Sequence, residues 1–290
     1  MTTIIIAAHN EESVLGECLD ALDRGRTRAP FEVIVSANGC TDATAQVASE
    51  RGATVIDRAE PGKASALNAA EQTAPSHPHI FLDADITVPA HAVDALVRAL
   101  DVTSGRLAAV PRRRVLVNGR SWPVRGFYAI NTRLPAYRRG LFGRGMIAVS
   151  EEGRRRFDRF PTMIADDLFL DSQFGEDEKV EVPEVEVTVE APYTTRDLLR
   201  RLVRVRRGNA AMRAAAANGL VDSAVRDADR WAWLRGVVLR EPRLVFAAIP
   251  YLAITVAAAL LARRPSEAQT AWGRDESTRR ESTAGVVSPA

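Results

Sequence analysis

An α/β fold with a mostly parallel, doubly wound central sheet is predicted by two observations. Strand-like runs at residues 3–8, 32–37, 53–57 and 79–83 alternate with helical stretches at about 11–24, 41–51 and 63–73, giving the order β-α-β-α-β-α-β. Polar residues also gather just after the first, second and fourth runs, at the carboxyl ends of strands where such sheets collect ligands.

The elements follow in order. Thr3-Ile4-Ile5-Ile6-Ala7-Ala8 opens the chain as a strand. Thr41 or Asp42 can cap the helix from Ala43 to Glu50, and Pro89 can occupy the first turn of a helix through Leu100. After residue 100 the pattern loosens: a strand at 107–110, an Arg-rich and aromatic stretch from Arg112 to Arg139, a strand at Gly145–Val149 and a helix around Asp166–Phe174. Val180, Val182, Val185, Val187 and Val189 mark a half-exposed strand, and a basic helix runs from Thr195 to Asn218.

With 290 residues and 46% hydrophobic composition, the chain can bury one large core or one core plus an appendage. The 39 basic and 37 acidic residues leave a net charge of +2, so no excess field points to nucleic acid. Lysine occurs only at Lys63 and Lys179. Cys18 and Cys40 offer neither a disulfide framework nor metal-ligand spacing, which suits a reducing compartment, and each reads as a small core residue. No basic region and apolar stretch of signal length precedes the first strand, so a cytoplasmic catalytic part is expected.

From Leu244 to Ala262 the chain carries no charge, with Arg243 on one side and Arg263-Arg264 on the other. At ~1.5 Å per residue this reaches roughly 28 Å, enough for a transmembrane helix. Trp231-Ala232-Trp233-Leu234 with Arg235 and Arg240 resembles an interfacial approach. A buried helix of the soluble domain is the competing reading; Pro250 suits a kink in either, and basic residues on both sides leave orientation open. The expected division is 1–105 and 106–225 as two halves of one domain, 226–264 as a membrane-associating segment, and 265–290 as a polar, disordered tail.

Asp83-Ala84-Asp85 ends the run His79-Ile80-Phe81-Leu82, and two carboxylates at a strand's exit can hold a divalent cation against a diphosphate; alone, such a pair is as readily a solvated turn. Ala8-His9-Asn10-Glu11-Glu12 offers polar groups and free amides after the first strand. Glu11 and Glu12 equally suit a helix N-terminus, where each contributes ~0.3–1 kcal/mol without a ligand. Asn38-Gly39-Cys40-Thr41-Asp42 repeats the arrangement at the second strand, although Asn38 also suits a turn. Gly62-Lys63 with Leu67-Asn68 puts a cation near a helix opening, where amides and ammonium together can meet phosphate.

In this order, these motifs resemble the family 2 glycosyltransferases of the GT-A nucleotide-sugar fold, over roughly residues 1–210. The resemblance implies a Rossmann-like nucleotide-sugar-binding half at 1–105 and an acceptor-side half at 106–225. It implies that Ala8, Asn10, Glu11 and Asn38 hold base and ribose, Lys63 the diphosphate and Asp83 the donor ribose, and that Asp85 binds Mn²⁺ or Mg²⁺. Asp166-Asp167-Leu168-Phe169-Leu170 looks like the family's acidic pair, whose second member is the general base; Asp167 inherits that role, with Asp166 and Asp171 as competitors. Arg201-Leu202-Val203-Arg204-Val205 is similar to the Gln/Arg-x-x-Arg-Trp segment, which gives Arg204 a contact to the diphosphate. Val205 replaces the aromatic residue, so single transfer is expected rather than polymerisation. Gly143-Arg144-Gly145-Met146 loosely matches the region around the donor and acceptor sugars. Asn38 stands where many members carry Asp, which leaves the base open, with uridine preferred. The implied function is inverting, metal-dependent transfer of one sugar from a nucleoside-diphosphate sugar to an acceptor at the cytoplasmic membrane face, with a lipid-linked acceptor suggested by the apolar segment and a small-molecule acceptor left open. The alternatives are a nucleotidyltransferase that makes a nucleotide sugar and a non-catalytic membrane subunit that binds nucleotide sugar or lipid.

Overall fold

In the computed structural model, which describes residues 1–24, 30–101, 103, 105–162, 165–219 and 229–264, seven strands form one sheet. These are β1 (Thr2–Ala8), β2 (Phe31–Asn38), β3 (Thr54–Arg58), β4 (His79–Asp83), β5 (Ala108–Leu116), β6 (Met146–Val149) and β7 (Lys179–Glu190). Their order is β3-β2-β1-β4-β6-β5-β7. The β1–β2, β1–β4, β2–β3 and β5–β7 pairs are parallel, and only β6 runs against its neighbours. The predicted α/β class and mostly parallel sheet are what the chain forms.

The helices are α1 (Glu12–Asp23), α2 (Thr44–Glu50), α3 (Lys63–Thr73), α4 (Ala92–Ala99), α5 (Trp122–Asn131), α6 (Pro135–Arg139), α7 (Glu151–Arg154), α8 (Asp166–Ser172), α9 (Thr195–Ala217) and α10 (Val245–Ala262). Helices cover both faces of β1, so all seven of its residues are buried, and the two-residue period of the strand sorts them. Ile4 and Ile6 enter one core with Leu15 of α1 and Leu96 of α4; Ile5 and Ala7 enter another with Leu67 of α3 and Leu168 of α8. A third core joins Val124 and Phe127 of α5 to Leu198 of α9 and Tyr251 of α10.

Several elements differ from expectation. The strand expected at 107–110 runs on to Leu116, because β7 pairs alongside it with a register shift between Pro111 and Arg112. α4 begins at Ala92 rather than near Pro89, whose carbonyl instead accepts from the Ala92 N–H at 2.9 Å in a preceding turn. Asp42 supports the start of α2 by accepting from the Thr44 N–H at 3.1 Å, while Thr41 is held by Asn10. The apolar segment does not stand apart from the domain: α10 packs along α5 and α9. The expected domain boundary at 225/226 and the expected disordered tail from 265 lie outside the described residues.

Candidate active site

The carboxyl ends of β1, β2 and β4 bring most of the expected site residues to one edge of the sheet. At its centre the Lys63 ammonium, at the start of α3, lies 2.8 Å from Asp83 Oδ1 and 2.8 Å from Asp166 Oδ2. Burial works against the Lys63 charge, but the carboxylates of Asp166 and Asp83 outweigh it and raise its pKa well above the ordinary lysine value. One cation therefore joins the exit of β4 to the first turn of α8.

Asp167 sits beside this bridge without joining it. Its Oδ2 accepts from the Gly143 N–H at 3.0 Å and its Oδ1 from the Leu168 N–H at 2.8 Å. Burial and the adjacent Asp166 charge push its pKa up to about 6, against the pull of Lys63 and the Gly143 amide. A carboxylate in this range is ionised at neutral pH and still basic enough to take a proton. Asp171, the other competitor, is a strut: 2% exposed, it pairs with Lys179 at 2.9 Å and accepts from the Leu141 N–H.

The loop before β6 supports both acids. The Gly145 carbonyl accepts from the Asp83 N–H at 2.8 Å, and the Gly143 carbonyl accepts from Arg113 at 3.2 Å. Arg113 stacks on Tyr137, 4.7 Å from the ring centre. The sequence reading missed Arg113. Had the strand been followed beyond residue 110, its two-residue period would have marked Arg113 as half-buried between exposed Arg112 and Arg114. Arg144, in the loosely matched Gly143–Met146 stretch, is 3% exposed, paired with Glu181 and bonded to the Pro111 and Tyr137 carbonyls, so its role is to brace the loop.

The loops after β1 and β2 are sewn together. Asn10, with φ +53°, accepts from the Thr41 N–H at 2.6 Å, the Glu11 N–H donates to Thr44 Oγ1 at 2.7 Å, and His9 Nδ1 is 2.7 Å from the Asn38 carbonyl. Asn38 departs from expectation. It is wholly buried; its amide donates to the Ala8 and Ser36 carbonyls at 2.7 and 3.2 Å, and its Oδ1 accepts from the Gly62 N–H at 2.9 Å. With all of these committed, its side chain joins β1, β2 and the approach to α3 and presents nothing to a base. Ala8 likewise spends its carbonyl on Asn38 and Cys40.

Asp85 is exposed just past β4. Burial and the charges of Asp85 and Asp83 push the Cys18 thiol up to about 12, which makes it the inert core residue expected. Among the described residues no group of three or more His, Cys, Asp or Glu side chains is arranged to hold a metal. The local donors are hard carboxylate oxygens and few, which fits Mn²⁺ or Mg²⁺ when substrate phosphates complete the shell. Arg204 is half-buried on α9, which packs against α8.

The mostly parallel mixed sheet matches the GT-A fold expected from the sequence, and comparison with known proteins agrees. The model of glycosyl transferase family 2 matches residues 3–158, more than half of the chain, and the chain belongs to that family. Over 91 residues it is 38% identical to a 4,4'-diaponeurosporenoate glycosyltransferase of Staphylococcus aureus, an alignment covering 29% of this chain and 24% of that relative. A mannosyltransferase of Pyrobaculum calidifontis, solved with GDP-Man and Mn2+, shares the fold with a TM-score of 0.58 and 20% identity over 91% of this chain and 76% of its own. A glucosyl-3-phosphoglycerate synthase of Mycobacterium tuberculosis is looser, with a TM-score of 0.48 and 21% identity over 66% of this chain and 72% of its own.

Proposed function

We propose that the chain transfers a single sugar, with inversion, from a nucleoside-diphosphate sugar to an acceptor hydroxyl at the cytoplasmic face of a membrane. The observation that carries this reading is Asp167: a carboxylate with its pKa raised to about 6, beside but outside the Lys63 bridge.

In this reading the acceptor hydroxyl gives its proton to Asp167 as its oxygen attacks the anomeric carbon. The bond from that carbon to the diphosphate breaks, and its electron pair stays with the departing oxygen. Attack opposite the leaving group inverts the anomeric centre. Asp83 holds the donor ribose, and Lys63 and Arg204 meet the diphosphate. The loop of Ala8, Asn10 and Glu11 borders the base and ribose, with UDP-sugars as the preferred donor class. Asp85 would hold Mn²⁺ or Mg²⁺, which would offset the charge gathering on the diphosphate. α10 is long and apolar enough for membrane contact, and such contact favours a lipid or lipid-linked acceptor.

The test is calorimetric titration of UDP, GDP and dTDP with and without Mn²⁺, on the native chain and on Asp85→Ala. Metal-dependent binding of one nucleotide, lost in the variant, is expected. Equal binding by the variant removes the metal assignment, and absence of any nucleotide binding removes the donor assignment.

A further inference from the structure

We infer that α10 is an in-plane anchor: it stays docked on the catalytic domain and lays its outer face in the interface of an anionic bilayer instead of crossing it. This rests on the membrane contact proposed above and specifies its geometry.

The helix is apolar all round, yet its two faces meet different surroundings. Ala248, Pro250, Tyr251, Ile254 and Ala258 are buried, while Phe246, Ile249, Val256 and Leu260 are exposed, Phe246 by 77% and Ile249 by 63%. At 3.6 residues per turn these form opposite stripes. Among the described residues, six of the twelve large exposed apolar side chains lie on α10: Val245, Phe246, Ile249, Leu252, Val256 and Leu260. So large a patch on one side of a soluble domain calls for a partner.

The inner stripe is held along the whole helix. Near its start, a Cβ built on Gly126 of α5 would meet Pro250 Cγ at 2.6 Å, so only glycine permits this approach. Phe127 stacks on Tyr251 with ring centres 5.4 Å apart. At the far end, Arg207 of α9 donates to the carbonyls of Leu261, Ala262 and Arg264 at 3.4, 3.4 and 3.0 Å, where a helix end lacks partners of its own.

A docked α10 cannot cross a bilayer without carrying α9 with it. α9 bears Arg200, Arg201, Arg204, Arg206 and Arg207, and each arginine at mid-bilayer costs about 2.5–3.5 kcal/mol on insertion scales. Undocking instead would uncover Phe127, Tyr128, Val237 and Val238. Lying flat avoids both. The lipid is anionic by charge complementarity: from Asp229 to Arg264 there are six arginines and two acids, and Arg240, Arg243, Arg263 and Arg264 are exposed around the apolar stripe.

The test uses the full chain with sealed vesicles of phosphatidylglycerol and phosphatidylcholine, or of phosphatidylcholine alone. Binding to the anionic vesicles is expected, weakened at least about tenfold in a Phe246→Glu, Ile249→Glu variant whose circular dichroism and nucleotide binding are unchanged. An environment-sensitive fluorophore is then placed on Ile249→Cys, Val256→Cys or Leu260→Cys, each with Cys40→Ser, and quenched by nitroxide lipids of known depth. Equal, shallow depth at all three positions is the expected result. A deep Val256 position between shallow ends means that α10 spans, and overturns the inference while keeping membrane contact. Absence of vesicle binding overturns both but leaves glycosyl transfer intact. A solution dimer that the double variant dissociates, without vesicle binding, assigns the stripe to a second copy of the chain instead.

Discussion

The Gly143 N–H points at Asp167 Oδ2 from 3.0 Å, and the same glycine's carbonyl accepts from Arg113. This short relay holds one carboxylate oxygen still without neutralising it. Replacing Asp167 by Asn keeps the side-chain volume, gives up one of its two accepted N–H bonds and removes the base, so nucleotide binding should persist while transfer falls by about 10²–10⁴-fold. Because the working form is the carboxylate, kcat/KM should fall as pH drops through about 6. An Asp167→Asn enzyme with native turnover would remove the base assignment.

Asp167 also bears on stability. Its folded pKa of about 6 lies above the ~3.9 of an unfolded aspartate, so the folded state holds the proton more tightly. The stability this gives is fully present below about pH 4 and lost as pH rises through about 6. Asn can accept only one of the two backbone N–H bonds that Asp167 accepts, a cost present at every pH, so the melting point of Asp167→Asn relative to the native chain should be higher at pH 7 than at pH 4. Thermal scans of both proteins at the two pH values check this; an equal or lower relative melting point at pH 7 contradicts it.

Lys63 is the counter-ion of two carboxylates that would otherwise face each other. Lys63→Gln should cost about 1–3 kcal/mol, less than a fully buried pair because the side chain is 28% exposed. Its loss also takes away one of the groups that hold the Asp167 pKa down, so any residual activity should show its acid limb at higher pH. Denaturant titration and a pH–rate profile measure the two effects, and an unmoved limb would disconnect Lys63 from Asp167.

Asn38 braces three backbone segments, so Asn38→Ala leaves the Gly62 N–H and the Ser36 carbonyl without this partner. The expected loss is about 1–3 kcal/mol of stability. The ranking of UDP, GDP and dTDP by affinity should stay the same. A reordered ranking would return Asn38 to base recognition.

At Gly145 the backbone has φ +70°, and an added Cβ would lie 2.5 Å from Ile86 Cγ1. Gly145→Ala should cost about 1–3 kcal/mol and, by shifting the carbonyl that holds the Asp83 N–H, weaken donor binding. Native donor affinity in a stably folded variant would separate this loop from the site.

The sequence by itself determined the alternating strands and helices of the first hundred residues, because β1, β2 and β4 are buried on both faces and leave an apolar run between polar turns. It also marked Asp83 and Asp85 at the exit of β4, and Lys63 and the 166–167 pair at helix starts, as the candidate groups for chemistry. Only tertiary structure decided which acid joins Lys63 and which stays free to titrate, because Asp166 and Asp167 are neighbours in sequence and differ only in the direction each side chain takes from α8. The same holds for Asn38, turned from expected ligand contact to brace by carbonyls 2 and 30 residues away. The nineteen uncharged residues from Leu244 to Ala262 suit a buried helix, a span or an in-plane anchor equally well. The choice depends on what packs against each face, and that is a property of α5 and α9.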